Sequence, residues 1–277
     1  MNNRQYQDIP AISSHRLIAM LQSPANCWRQ YLDPDRKAEA PSDALKLGTL
    51  VHCLTLNPHD FDNEFLVADY DRRSKAGKVR YAQLNQYGLT IIKPAELERA
   101  QAIADALHYD NEARKLLRYG RKERTIVKPR ADGLMPLKAR LDIHNEAKRQ
   151  VIELKTTRDI ATILKTIADY HYLLSAAFYQ HISQSRSVVF IFVQTIEPYE
   201  VEIVEPTYWQ LEEGRDEMKA ALEKFDACWL ANHWPEAEPI APDLDDDPLM
   251  NMATQFLAAT HAQNPQRFDV PIGELAL

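Results

Sequence analysis

Hydrophobic positions recur with two different periods along the chain, and each change of period marks an element. Apolar residues that return every three or four positions predict helices, and apolar residues that alternate with polar ones or run together predict strands. The predicted helices cover about 14–21, 42–56, 94–108, 111–119, 160–183 and 206–232. The predicted strands cover about 65–68, 124–128, 137–144, 150–156, 187–195 and 199–204.

The strands in the middle of the chain are typical of consecutive hairpins, because turn residues separate them at Gly133–Pro136 and at Asn145. The strand at 187–195 is apolar at nearly every position, which is typical of a strand buried on both faces. We expect the strand at 199–204 to be its antiparallel neighbour. The order of elements predicts an α/β fold in which helices flank a mixed central β-sheet.

The length and composition are those of a globular protein with a substantial core. We expect one domain over residues 1–234, with its core at about 42–232, and a Pro-rich acidic tail at 235–277. The stretch "DRRSKAGK" at 71–78 is expected to be a loop. No stretch approaches the roughly 18 apolar residues of a membrane span, so we expect no membrane association and a cytoplasmic location in a bacterium or phage-infected host.

The formal net charge of −7 excludes a protein coated in positive charge but leaves room for a local basic surface. Basic residues concentrate at 72–80 and 114–130, and for each segment alone a solvated loop or helix face remains an open interpretation. The three cysteines show no CxxC spacing, which predicts reduced and buried thiols and argues against a thiolate metal site.

Two neighbouring predicted strands, "KARLDIH" and "VIELKTT", place charged residues on one face. In the first strand the expected apolar face consists of Leu137, Ala139, Leu141 and Ile143. The opposite face consists of Lys138, Arg140, Asp142 and His144. In the second strand Ile152 and Leu154 are expected to point inward, so that Glu153 and Lys155 point the other way. If the strands pair, Asp142, Glu153 and Lys155 meet at one end of the sheet.

Two carboxylates held together repel each other, and their burial is costly unless a cation joins them. Magnesium takes one or two protein carboxylates and keeps positions for water and phosphate oxygens. A bound metal lowers the pKa of water and stabilises the charge that grows on a phosphodiester. Lys155 is suited to orient or deprotonate the attacking water, or to neutralise the transition state. The alternative, a strand with charges on its solvent face, is common and stays open on these residues alone.

The arrangement Asp142…Glu153-x-Lys155 between two helices resembles the PD-(D/E)XK nuclease superfamily. More specifically, "AISSHRLIAMLQSPANCW", "LGTLVHCLTLNPHDFDNEFLVA", "DRRSKAGK", "KARLDI", "ELKTT", "SAAFY" and "FIFVQTIEPYEV" follow the order and approximate spacing of RecE-type exonucleases. These are phage and prophage enzymes related to the nuclease domain of exonuclease VIII. The resemblance covers about residues 8–232 and implies a restriction-endonuclease-like core.

The resemblance implies a role for each matching residue. His52, Asp142 and Glu153 match the metal-binding residues, with the carbonyl of Leu154 as a further ligand, and the implied cofactor is Mg²⁺, with Mn²⁺ as a substitute. The implied catalytic set is Asp142, Glu153, Lys155, His52, Tyr179 and Glu123. Ser175 occupies the glutamine position of the QxxxY element that ends at Tyr179, which puts the strength of substrate positioning in question.

The residues expected to bind DNA are Arg72, Arg73, Lys75, Lys78, Arg140 and Ser175. Contacts of this kind to phosphates position DNA without reading its sequence. The resemblance implies double-stranded DNA as substrate, a single-strand annealing protein as partner, and a homo-oligomeric ring of three or four copies.

The sequence therefore predicts a magnesium-dependent exonuclease that digests double-stranded DNA ends, from 5′ to 3′, in phage-type recombination. Two alternatives stay open. One is a PD-(D/E)XK nuclease of other polarity or endonucleolytic type, and the other is a catalytically weakened DNA-binding protein, for which Ser175 is the support.

Overall fold

A computed structural model describes residues 3–36, 41–69, 73–130 and 133–237 of the chain. Its α-helices are α1 (Asn3–Gln7), α2 (Ser14–Gln22), α3 (Pro24–Tyr31), α4 (Asp43–Leu56), α5 (Phe61–Glu64), α6 (Lys75–Asn85), α7 (Pro94–Tyr109), α8 (Asn111–Arg118), α9 (Ile163–Asp169), α10 (Tyr172–Ser183) and α11 (Tyr208–Ala231). Its strands are β1 (Phe65–Val67), β2 (Thr90–Ile92), β3 (Arg121–Lys128), β4 (Leu137–Asn145), β5 (Gln150–Thr157), β6 (Ser187–Gln194) and β7 (Val201–Val204). Short 3₁₀ helices cover Pro58–Asp60 and Ile160–Thr162.

In the described part of the chain, the central sheet has the strand order β3-β4-β5-β6-β7, and β1 pairs with β2 in a small parallel sheet. Strands β3, β4 and β5 are antiparallel hairpin neighbours, β6 runs parallel to β5, and β7 is antiparallel to β6. These pairings confirm the predicted hairpins, the buried strand and the α/β class with a mixed sheet.

The sheet has an apolar layer on each face. One layer packs the sheet against α2, α3, α9, α10 and α11. The other packs it against α4, α7, α8 and the small sheet. The described residues up to Glu236 form one compact unit, and the tail predicted at 235–277 lies from residue 238 onward outside the described residues.

Several helix predictions were wrong in their details. The helix predicted over 160–183 is broken into a 3₁₀ turn, α9 and α10, because His171 adopts a positive φ of 50° between the two α-helices. The loop predicted at 71–78 gives way at Lys75 to α6, which begins where the side chain of Ser74 accepts a hydrogen bond from the Gly77 N–H. The sequence also left α3 unpredicted, although Ser23 caps it and Pro24 stands at its first position.

Strand β4 changes face at Asp142, which corrects the prediction of one continuous apolar face. Leu137, Ala139 and Leu141 contact the α10 layer, whereas Ile143 contacts the α4 layer. The β3–β4 pairing skips Asp142 and its counterpart Glu123, and Glu123 has a positive φ of 52°. This local irregularity reverses the alternation that a regular strand would keep. The strand predicted at 124–128 would begin just after Glu123, whereas β3 includes this residue.

Two glycines permit close approaches between elements. A Cβ at Gly48 of α4 would stand 3.2 Å from the Thr156 hydroxyl on β5, so the helix crosses the strand end at short range. A Cβ at Gly214 of α11 would stand 2.2 Å from the Leu173 carbonyl oxygen of α10, which fixes the packing of those two helices. The first contact brings α4 beside the carboxyl end of β5, where the charged residues lie.

The predicted thiols are confirmed, because Cys27, Cys53 and Cys228 are free and buried. Among the described residues, no helix is both long enough and apolar enough to cross a membrane.

Candidate metal and active site

The candidate site begins where strands β4 and β5 separate. Their ladder pairs Asn145 with Gln150, His144 with Val151, and Ile143 with Ile152. Beyond that point β5 stays paired with β6 through Thr157, and β4 stays paired with β3 down to Leu137. The two strands therefore diverge from Asp142 and Glu153 onward and leave a gap inside the sheet.

Carboxylates take over the backbone hydrogen bonds at the point of divergence. The Leu154 N–H donates to Oδ2 of Asp142 at 2.8 Å, and the Asp142 N–H donates to Oε1 of Glu153 at 3.3 Å. Buried backbone N–H groups need acceptors, and here the two acids supply them in place of the partner strand. Glu153 is only 2% exposed and Asp142 only 9%. The acids are thus built into the sheet and do not stand on its surface.

Three elements converge on Asp142 to form a cluster of possible metal ligands. His52 comes from α4, Glu123 from β3 and Asp142 from β4, and one ligand atom from each lies within 4.8 Å of the others. The His52 Nδ1 is 3.5 Å from Oδ1 of Asp142. Glu123 also forms an ion pair with Nε of Arg140. The positive φ of Glu123 and the skipped β3–β4 pair account for how this strand residue reaches the cluster.

The pKa values of Glu153 and Asp142 are shifted in opposite directions, although burial acts on both in the same direction. Burial and the neighbouring charge of Asp142 raise the pKa of Glu153 to about 8, although Lys155 opposes the shift. Burial also tends to raise the pKa of Asp142, but His52, Lys155 and the Leu154 N–H outweigh it and hold that pKa below its usual value. Burial and Asp142 raise the pKa of Glu123. The three acids therefore crowd one another, which is the condition that a bound cation relieves.

Lys155 sits between the acids and aromatic residues of α10. Its Nζ lies 3.2 Å from Oε2 of Glu153 and 5.6 Å from the centre of the Tyr172 ring. Burial opposes the charged form, but Glu153 and Asp142 outweigh it and raise the pKa of Lys155. Tyr179 is buried on the same helix, and the Ser14 hydroxyl donates to its hydroxyl oxygen at 3.5 Å. The lysine is thus an ammonium held in one position.

The donor set suits a hard divalent cation. Two carboxylates and one imidazole converge, and Leu154, whose carbonyl is a candidate ligand, lines the same cavity. Oxygen-rich sets of this kind bind Mg²⁺ or Mn²⁺, and the imidazole favours a transition metal as an alternative. Both oxygens of Glu153 are engaged, by the Asp142 N–H and by Lys155. Among the predicted ligands, the structure therefore brings together His52 and Asp142 directly, and adds Glu123 where Glu153 was expected to serve.

A cavity of about 520 Å³ opens onto this cluster. Its walls include His52, Glu123, Asp142, Lys155 and Tyr179. The cavity is large enough for a nucleotide unit, and both acids and tyrosines line it.

The predicted DNA-binding residues divide by location. Arg140 lines the cavity, while Ser175 is buried on α10 and is not among the lining residues. Arg73, Lys75 and Lys78 are exposed at the start of α6 and do not line the cavity either. Arg72 lies outside the described residues. These roles stay predictions.

Several residues that line the cavity were not predicted as site residues from the sequence. Tyr172 is seven positions before Tyr179, a helical spacing that places both on one face, and that spacing was an available signal. Ser14 was predicted only as the first residue of the helix at 14–21. Glu64 and Tyr6 also line the cavity, but no local pattern marks either residue, because each reaches the cavity through the tertiary fold.

A family model described as a PDDEXK-like domain of unknown function, DUF3799, matches residues 13–240. No curated protein sequence matches the chain.

Two solved structures illustrate the structural likeness. A protein of Eubacterium rectale provisionally named an exonuclease is 14% identical, with a TM-score of 0.58, over 89% of this chain and 98% of its own. A phage-related exonuclease of Haemophilus somnus 129PT is 12% identical, with a TM-score of 0.31, over 59% of this chain and 91% of its own. The first likeness supports the shared fold, and the second is too low to carry an argument.

Proposed function

Because the chain belongs to the DUF3799 family of PDDEXK-like domains, we propose that it is a divalent-metal-dependent exodeoxyribonuclease. Its substrate is a double-stranded DNA end, and the reaction is hydrolysis of a phosphodiester bond. The polarity that we propose is 5′ to 3′.

One observation carries the proposal: the divergence of β4 and β5 holds two acids and a lysine together beside His52 and Glu123. Asp142 and Glu153 are fixed by hydrogen bonds from the neighbouring backbone, and Lys155 is fixed by Glu153. Such fixed charges in a buried cleft stabilise a transition state more strongly than mobile side chains do, because they need no rearrangement during the reaction.

His52, Glu123 and Asp142 would hold the cation, and the carbonyl of Leu154 is a further candidate ligand. When bound, a divalent cation supplies an activated water and neutralises charge on the phosphate. The ammonium of Lys155 lies on the Glu153 side of the gap, where it stabilises negative charge that develops on the phosphate oxygens. Glu153 keeps that ammonium in place and completes the backbone hydrogen bonds of Asp142.

The finer assignments rest on the sequence resemblance to RecE-type exonucleases. They are Mg²⁺ as the natural cation, action in phage-type recombination beside a single-strand annealing protein, and assembly into a ring of three or four copies. An assembled ring would reconcile the acidic net charge with DNA binding, because basic residues would line the channel.

The test is digestion of a linear duplex labelled at either the 5′ or the 3′ end, beside a covalently closed circle, with Mg²⁺ and with EDTA. The expected result is magnesium-dependent release of the 5′ label first, with the circle untouched. Release of the 3′ label first would reverse the polarity. Cleavage of the circle would make the protein an endonuclease, and no digestion with Mg²⁺ or Mn²⁺ would overturn the assignment as a nuclease.

A further inference from the structure

Residues 6–12 precede the part of the chain that the family model matches. They close the gap between β4 and β5 at its Lys138 end. The Lys138 N–H donates to the Ile12 carbonyl at 2.7 Å, and the Ile12 N–H donates to the Pro136 carbonyl at 2.8 Å. The segment thereby binds the edge of β4 that β5 has left. The family model begins only at residue 13, so this wall of the cavity belongs to the chain's own N-terminal segment.

The side chain of Lys138 holds residues 6–9 in place. Its side chain is only 2% exposed, and its Nζ donates to the carbonyls of Tyr6, Gln7 and Ile9 at 2.8, 3.1 and 2.9 Å. Three carbonyl acceptors satisfy the three donors of one ammonium. A buried lysine is costly unless its donors are satisfied in this way, so the arrangement ties the segment firmly to β4.

The ring of Tyr6 is held by the same lysine. The Lys138 Nζ lies 4.7 Å from the centre of the ring, a cation–π contact. Burial raises the pKa of Tyr6 to about 12, against the charge of Arg140 and a hydrogen bond from the Arg140 backbone. The hydroxyl is therefore anchored to β4 as well. Tyr6 is half-buried and lines the cavity that holds His52 and Asp142.

We propose that Tyr6 is a substrate-contacting residue, whose immobilised ring stacks against a nucleobase of the strand bound in the cavity. The proposal rests on the proposed function. Lys138 is the positioning residue that holds the ring. An aromatic ring suits any base, since every base has a π-face, and this tolerance fits an enzyme that digests DNA without sequence preference. An immobilised ring also loses little side-chain entropy when it binds.

The test is a scan of abasic positions combined with the substitution Tyr6→Ala. Dissociation constants are measured by fluorescence anisotropy, with Ca²⁺ in place of Mg²⁺ to block cleavage. The probes are blunt duplexes that carry one abasic position within the first several nucleotides of either strand.

Tyr6→Ala is expected to weaken binding of intact DNA roughly 5- to 150-fold, the range found for loss of one base-stacking ring. At one position, the abasic site should weaken binding by the wild-type protein to a similar extent but cost Tyr6→Ala almost nothing further. If the ring only stabilised the folded protein, the effect of Tyr6→Ala on binding would not depend on which nucleotide is abasic.

Matched variants separate the ring from its anchors. Tyr6→Phe keeps the ring and should bind within about twofold of wild type, since only the hydroxyl is lost. Tyr109→Ala removes a tyrosine that is 83% exposed outside this cavity, and it should bind like wild type. Lys138→Met keeps the apolar stem but removes the ammonium, and it should reproduce part of the Tyr6→Ala loss.

Equal abasic costs in wild type and Tyr6→Ala at every position would overturn the proposal for Tyr6 and leave the nuclease assignment intact. Failure of the wild-type protein to bind any duplex would overturn both.

Discussion

The two ends of the β4–β5 pair differ in how their backbone groups are satisfied. At the closed end, from Asn145 to Ile143, the partner strand supplies the hydrogen bonds, and Ile143 and Ile152 pack into the α4 layer. At the open end, from Asp142 and Glu153 onward, carboxylates accept the backbone N–H groups. The closed end holds the sheet together, while the open end gives up strand pairing to fix charged groups beside a cavity.

This difference shows how a fold places charges inside a sheet. If the β4–β5 ladder continued regularly past Ile143 and Ile152, the two carboxylates would have no backbone N–H group to accept from. No gap would then separate the strands. Ending the ladder at Ile143 and Ile152 gives each acid a structural role in addition to its chemical one. Substitutions at the open end should therefore affect activity most, whereas those at the closed end should affect stability most.

Lys155→Ala should have the largest effect, a loss of cleavage of about a hundredfold to a thousandfold, because it removes a fixed charge from the open end. Binding of duplex DNA should change little, since the remaining basic residues are untouched. Single-turnover digestion and anisotropy measure the two properties separately. The control is Lys148→Ala, an exposed lysine in the turn at the closed end, which should digest DNA like wild type. Wild-type turnover by Lys155→Ala would remove Lys155 from the reaction.

Glu153→Gln should change how stability depends on pH in the metal-free protein. The pKa of Glu153 is about 8 in the folded state against an ordinary 4.5, so the folded state holds this proton more tightly than the unfolded state does. Wild-type stability from this group is therefore greatest below pH 4.5 and is lost as the pH rises toward 8. Gln does not titrate.

Between pH 5 and pH 8, the stability difference should consequently shift in favour of Glu153→Gln, by on the order of 1–4 kcal/mol. Chemical denaturation in EDTA at both pH values measures it. A constant difference would mean that Glu153 titrates normally.

Ser175→Gln tests whether the open end lacks a longer side chain from α10. Ser175 is only 5% exposed, so a larger side chain would overpack the helix and should cost about 1–3 kcal/mol of unfolding free energy. Digestion rate per folded molecule should not rise. A faster rate would show instead that the family glutamine supplies a contact that this chain lacks.

Ile152→Val should have the smallest effect, because it removes one methylene at the closed end, where Ile152 is 1% exposed. The expected cost is about 0.5–1.5 kcal/mol, with unchanged digestion by the folded protein. Thermal unfolding and digestion rate check the two parts. A large loss of activity without a loss of stability would erase the distinction between the two ends.

The sheet was largely predictable, because alternation, turn residues and one wholly apolar strand mark its members. The irregularity at Asp142 was not, since it arises from the positive φ of Glu123 on the neighbouring strand, and a period of two cannot reveal it. Likewise, α6 begins at a serine cap inside a stretch rich in charge, where the basic residues favoured a loop.

The candidate site was predictable in its acids and lysine but not in its walls. Asp142, Glu153 and Lys155 lie on consecutive strands, and their spacing in the sequence indicates that they meet. Tyr6 and Lys138 lie 132 residues apart and meet through a hydrogen bond to a main-chain carbonyl and a cation–π contact. Local pattern carries no information on such contacts.

The metal site at the open end of the β4–β5 pair is tested most directly by Mn²⁺ binding to metal-free protein, followed by electron paramagnetic resonance, for wild type and Asp142→Asn. Asn keeps an oxygen that accepts the Leu154 N–H, so the strand geometry should survive while the charge is lost. The control is Asp105→Asn, an exposed acid on α7, which should bind like wild type. We expect Asp142→Asn to weaken Mn²⁺ binding by at least about tenfold, because the loss of even a residue that only hydrogen-bonds a metal ligand costs that much. Unchanged affinity in Asp142→Asn would contradict a metal site at the open end of the β4–β5 pair.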